Sequence, residues 1–164
     1  MSHRSILSQT VGLAGWLAIV FVTAAIGSVA SIEAGTFYTQ LTRPAWAPPV
    51  SAFGPVWSVL YVLMGISVWL VWREQGARHL RAALTLFIAQ LFANALWSWL
   101  FFAWHQGAFA FAEVLVLLAL IAATIAVFWR ISRLAGVLML PYLAWVCLAS
   151  ALTWSLWQNN PTVL

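Results

Sequence analysis

Charge is what this chain has least of. Only 6% of its 164 residues are charged, and its seven basic residues are all arginine, with no lysine. A water-soluble domain needs a polar exterior, and a sequence that is 65% hydrophobic, with a mean hydropathy of +0.98, cannot supply one. The scarcity excludes a soluble domain and puts the chain among integral membrane proteins. An ionised side chain at the bilayer centre costs at least ~2.5–3.5 kcal/mol on insertion scales, so the few charges are expected at helix ends and in connections. The pI of about 10.3 does not signal nucleic acid, because the arginines fall between apolar segments and no polar domain carries them as a patch.

Other absences narrow the chemistry. A single cysteine, Cys147, excludes an intrachain disulfide, and its place between Val146 and Leu148 reads as a buried, inert thiol. No glycine-rich phosphate loop, zinc-ligand spacing or Ser/His/Asp set is present. The histidines, His3, His79 and His105, fall at the terminus or in connections. His105 shares a side with the longest loop, but no second ligand or attachment motif accompanies it as a haem ligand. No metal site and no required cofactor is expected. Without an activated nucleophile or paired carboxylates, enzyme chemistry would have to come from a bound ligand. No internal repeat of the kind common in secondary transporters is visible.

What the chain does have is five apolar segments, Gln9–Ile32, Gly54–Trp72, Leu80–Phe102, Ala108–Trp129 and Ala135–Trp157. Each approaches the ~20 residues that cross ~30 Å of hydrocarbon, so the expected fold is all-α, one membrane domain of five transmembrane helices. The first apolar run is too long for a typical signal peptide and is read as a mature helix. Arg4, Arg73, Arg78, Arg81, Arg130 and Arg133 then share one side, against Arg43 alone on the other. That bias predicts a cytoplasmic N-terminus in an inner or plasma membrane, with the long loop and the C-terminus outside.

Residues 33–53 form the one long connection. With Gly54 and Pro55, they hold four of the six prolines, Pro44, Pro48, Pro49 and Pro55, interleaved with Tyr38, Trp46 and Phe53. Proline fixes φ and removes donors, so Arg43 to Pro49 cannot be a helix interior, and a stiff aromatic loop of this kind suits a lid over a site. Pro55 is expected to open the second helix. Twelve tryptophans are present. Trp72, Trp104, Trp129 and Trp157 mark segment ends, where indole prefers the headgroup zone. Trp16, Trp57, Trp97, Trp145 and Trp154 lie deeper.

Helical spacing groups these deeper side chains. Gln90, Asn94 and Trp97 share one face, as do Trp57 with Tyr61, and Trp145 with Ala149 and Leu152. An amide facing lipid loses its hydrogen bonds, so the faces should turn inward around an apolar cavity with few polar anchors. Each face also suits ordinary packing or interhelical hydrogen bonding. Thr23, Gly27 and Ser31, and the alanines at 119, 122, 123 and 126, read as packing stripes within or between monomers. Glu113, near the connection at Gly107, reads as an interfacial carboxylate rather than a proton relay.

Four motifs stand out in combination: Phe37-Tyr38 with Arg43-Pro-Ala-Trp46-Ala-Pro-Pro49; Phe53-Gly-Pro-Val-Trp57 with Leu60-Tyr61; Gln90-Leu-Phe-Ala-Asn94-Ala-Leu-Trp97 with Phe101-Phe102; and Pro141-Tyr-Leu-Ala-Trp145 with Ala149, Leu152 and Trp157. The chain resembles the TspO/MBR family of tryptophan-rich sensory and translocator proteins, also called the peripheral-type benzodiazepine receptor family. The resemblance implies a five-helix bundle, commonly a homodimer, whose first loop caps a cavity. It implies porphyrins, cholesterol-like lipids and benzodiazepine-type drugs as ligands. It maps a ligand pocket onto Trp46, Trp57, Asn94, Trp97, Trp145, Ala149 and Leu152, with Tyr38 nearby. It also implicates Trp145 in light-dependent porphyrin breakdown. Porphyrin or haem is thus expected as ligand, in a receptor, a sensor or, alternatively, a transporter of porphyrin, lipid or sterol. Two departures bear on the ligand. The stretch Ala149 to Trp157 lacks the tyrosine and basic residue of the animal cholesterol motif, and Phe109 stands where many members carry a pocket tryptophan.

Overall fold

A computed structural model of the chain describes residues 5–74, 76 and 78–164. His3 and Arg4 lie outside the described residues. The helices in chain order are α1 (Ile6–Ala30), α2 (Ala34–Gln40), α3 (Val50–Trp72), α4 (Leu80–Ser98), α5 (Gly107–Ile131) and α6 (Arg133–Asn159). A π-helical turn, Trp99–Ala103, extends α4. Five helices, counting α4 with its π-turn, are long and apolar enough to cross a membrane. The chain is a multi-pass membrane protein.

Three local causes set these bounds. Ser5 caps α1 by accepting from the Ser8 amide at 3.2 Å. Ser132 alone separates α5 from α6, its hydroxyl accepting from Ala135 N at 3.4 Å. Pro49, which cannot donate, caps α3. Pro55 therefore does not open the second spanning helix as expected; it lies inside α3, which starts at Val50. So close to the helix start, proline removes one hydrogen bond, to the exposed Ser51, without ending the helix.

The spanning helices form a closed ring in the order α1, α3, α6, α5, α4, with α4 returning to α1. The α1–α3 connection, the α4–α5 connection and the end of α6 share one end of the ring. Its other, distal end carries the α3–α4 and α5–α6 connections. The core includes Val20, Met64, Phe87, Leu117, Phe128 and Met139, all essentially inaccessible.

The long connection is not loop throughout. The short helix α2 folds across the bundle end, and the proline-rich stretch leads from it to α3. Cys147 is exposed on the outer surface of α6, not buried as its apolar neighbours suggested. The helix rotation set by Tyr142, Val146 and Ser150, which are buried, turns residue 147 outward.

Candidate functional site

Beneath α2 lies a cavity of about 560 Å³, walled by α1, α3 and α4. Its aromatic lining comprises Phe21, Tyr38, Phe53, Trp57, Tyr61, Trp97 and Phe102. Small residues of α1, including Ala24, Gly27 and Ser28, with Ser31 just past its end, make the facing wall. Among the described residues, no charged side chain lines it.

The rings are propped in place by partners behind them. Trp57 lies 5.5 Å from Tyr61 and 6.1 Å from Tyr142, centre to centre. Trp97 stacks on Phe101 at 5.4 Å. Such pairs hold their geometry by offset-stacked and edge-to-face contacts. The polar anchor is equally fixed. Tyr61 donates its hydroxyl proton to Asn94 Oδ1 at 2.7 Å, and Asn94 Nδ2 donates to the Tyr142 hydroxyl oxygen at 3.1 Å. Three spanning helices are thereby joined by two hydrogen bonds in the bundle interior.

The roof is pinned at several points. Tyr38 is 3% exposed and donates its hydroxyl to Pro48 O at 3.0 Å, closing the lid on itself. Burial pushes the Tyr38 phenol above its ordinary pKa, against the opposing pull of Arg43, so it remains a neutral donor. The Arg43 guanidinium sits 5.0 Å over the Tyr38 ring. The Asn160 amide, at the end of α6, accepts from Thr42 N at 2.8 Å and donates to Thr42 O at 3.1 Å. Phe37 packs at 4.3 Å against His105, whose backbone φ of 51° is a left-handed value rare outside glycine.

Of the side chains marked from sequence, Tyr38, Trp57, Tyr61, Asn94 and Trp97 line this cavity. The others do not. Trp46 is half exposed on the lid. Gln90 is fully buried, with Nε2 4.0 Å from Met64 Sδ. Leu152 packs with Tyr38, Leu41 and Phe101 in an apolar cluster under the lid. Ala149 is half-buried on α6, off the cavity wall. Trp145 lines an outer groove between α3 and α6, with Pro55, Val59 and Pro141 among its neighbours. It meets the cavity-lining Phe53 ring 5.8 Å away, edge to face. The α6 face expected to turn into the hollow thus stands one ring behind it, because Phe53 fills the intervening space.

Sequence reasoning missed the α1 wall. Gly27 and Ser31 were marked as packing residues, and the same smallness that permits packing also leaves space where no large side chain faces it. Tyr142 was also missed as the far partner of Asn94, although its buried hydroxyl needed one. Glu113 differs from expectation too. Both carboxyl oxygens are buried, with no hydrogen-bond partner among the described residues. No group of three metal-ligating residues occurs among the described residues.

The sequence model of the TspO/MBR family matches residues 13–158, nearly all the spanning region. The chain belongs to the TspO/MBR family. Among similar proteins, Translocator protein of Homo sapiens is 36% identical over 126 residues, covering 76% of this chain and 75% of that one. Protein CrtK of Rhodobacter capsulatus is 34% identical over 147 residues, covering 88% and 92%. Tryptophan-rich sensory protein of Cereibacter sphaeroides is 33% identical over 149 residues, with the same coverage. In this TspO/MBR chain the lid, the aromatic wall and the Tyr61–Asn94–Tyr142 link are built from the motifs that carried the resemblance, whereas the small-residue wall of α1 lies outside them.

Proposed function

We propose that this protein is a membrane receptor or sensor that holds a flat, apolar tetrapyrrole, a porphyrin or haem, in the cavity under α2. The observation that carries this reading is an uncharged hollow of about 560 Å³ flanked by Trp57, Tyr61, Trp97 and Phe53. Large flat rings gain most from such walls, through area burial and face contacts. Arg43, the one arginine at the lid end among the described residues, is a suitable partner for an anionic ring substituent, since a guanidinium pairs well with carboxylate. The name of one relative, tryptophan-rich sensory protein, supports the sensor part of this reading.

Saturable quenching of tryptophan fluorescence by protoporphyrin, weakened in Trp57→Phe, is the expected result. Quenching that never saturates, or that Trp57→Phe leaves unchanged, overturns it. Breakdown of the ligand in light is a narrower possibility resting on Trp145. Product formation in light that persists in Trp145→Phe removes that residue's role. Transport of a porphyrin, lipid or sterol is the alternative, and a ligand that binds but never crosses proteoliposomes excludes it.

The proposal extends to placement. Arg73, Arg78, Arg81, Arg130 and Arg133 at the distal end, against Arg43 at the lid end, support a cytoplasmic distal end and N-terminus in an inner or plasma membrane. A reporter fused after Leu164 should report the outer side. Exposed Ala119, Ala122 and Ala126 on α5 support a homodimer, through close helix approach.

A further inference from the structure

The cavity's lining is not equally covered on all sides. Its exposed members are Phe21, Ala25 and Ser28 on α1, and Val50, Gly54 and Ser58 on α3. On α1 they recur at i, i+4 and i+7, and on α3 at i, i+4 and i+8, so each set is one stripe along its helix. The lining residues of α2 and α4 are buried or half-buried. Two facing stripes of mostly small side chains are the jambs of an opening.

The other sides are closed. At the back, a Cβ on Gly27 would stand 3.3 Å from Ser98 Oγ, so α1 and α4 touch there. Above, Asn160 and Tyr38 pin the lid. Below, α1 and α3 meet where Gly65 lies against the Leu17 side chain. The opening lies along the lid-side half of two helices long and apolar enough to cross a membrane.

We propose that the cavity is filled laterally, by lipid-soluble molecules passing from the bilayer between α1 and α3, while the lid stays shut. This rests on reading the cavity as a ligand site. It narrows the ligand to molecules that partition into the lid-side leaflet before they bind. The α1–α3 gap sets the rate of entry, and the lid sets only what is retained.

The test uses the full chain in lipid nanodiscs, with Cys147→Ala removing the native thiol and Ser98→Cys adding one on the inner wall. A bilayer-partitioning pyrene maleimide should label it, and a sulfonated, water-confined maleimide should not. Obstructing the gap with Ala25→Trp and Ser58→Trp should slow labelling by about tenfold or more, whereas Asn160→Ala should leave it unchanged. Ala25→Leu and Ser58→Leu singly should give graded slowing if the double variant does not fold. Labelling by the sulfonated reagent, acceleration by Asn160→Ala, indifference to every obstruction, or a thiol that neither reagent reaches overturns the route. Protoporphyrin titration of the same proteins separates the two ideas. Lost porphyrin binding with gap-sensitive labelling refutes the ligand class, whereas intact binding with gap-insensitive labelling refutes the route.

Discussion

The two halves of the α1–α3 pair differ in what faces what. In the distal half, small meets large. The Trp72 ring lies over Gly12, the Leu17 side chain lies against Gly65, and Trp69 Nε1 donates to Gln9 O at 2.9 Å. Val20 and Met64 fill what remains and are fully buried. In the lid half, the small residues Ala24, Ala25 and Ser28 of α1 face Gly54 and Ser58 of α3 across the cavity. The large rings of α3 are held from behind, Phe53 by Trp145 and Trp57 by Tyr142. The same two helices, both apolar throughout, therefore make a solid seam at one end and a hollow at the other. Hydrophobicity does not distinguish the halves. Complementarity of size across the interface does.

The sharpest way to break this contrast is to spoil the seam. Gly65→Leu puts a branched side chain where Leu17 and Val20 already pack. Overpacking of this kind costs about 1–3 kcal/mol or more, and the expected outcome is a large drop in the thermal midpoint of the detergent-solubilised protein. Asn94→Leu attacks the boundary between the halves. It leaves the Tyr61 and Tyr142 hydroxyls without the Asn94 amide, at roughly 1–3 kcal/mol, and should lower stability and ligand affinity together.

Substitutions in the hollow should spare the fold. Trp57→Ala should weaken protoporphyrin binding about tenfold, by loss of roughly 1–1.5 kcal/mol of ring contact, with little change in thermal midpoint. Trp145→Ala, one ring behind the wall, should weaken it less. An equal or larger loss in Trp145→Ala would show that Phe53 moves aside on binding. Asn160→Ala removes the amide's bonds to Thr42, and hydrogen exchange across residues 37–48 should quicken while the spanning helices stay protected. The smallest effect is expected from Arg43→Gln. An exposed ionic contact contributes ~0.2–1 kcal/mol, so a few-fold loss of affinity for a carboxylate-bearing porphyrin, absent for its methyl ester, is the expected signature.

Much of this was legible in the residues. The lid was visible in Pro44, Pro48 and Pro49, because proline's fixed φ and missing donor act locally. Asn94 was recognisable as an inward polar anchor, because an amide cannot face lipid unpaired. Trp145 was misassigned to the cavity wall, because helical periodicity fixes which side chains share a face but not what stands in front of that face. Gly27 does pack, against Ser98 of α4, yet it and Ser31 also line the hollow, because a small side chain carries no mark of what space lies beside its contact.

By itself the sequence determined the membrane class, the five crossings and the family, since each follows from composition, run length or motif, which need no partner. Tertiary structure decided which helices close the ring, where the α1–α3 seam parts, and that Phe53 rather than Trp145 meets the hollow. Those outcomes depend on pairing sizes between helices far apart in the chain, and no one-dimensional pattern records which small residue will find a large one opposite.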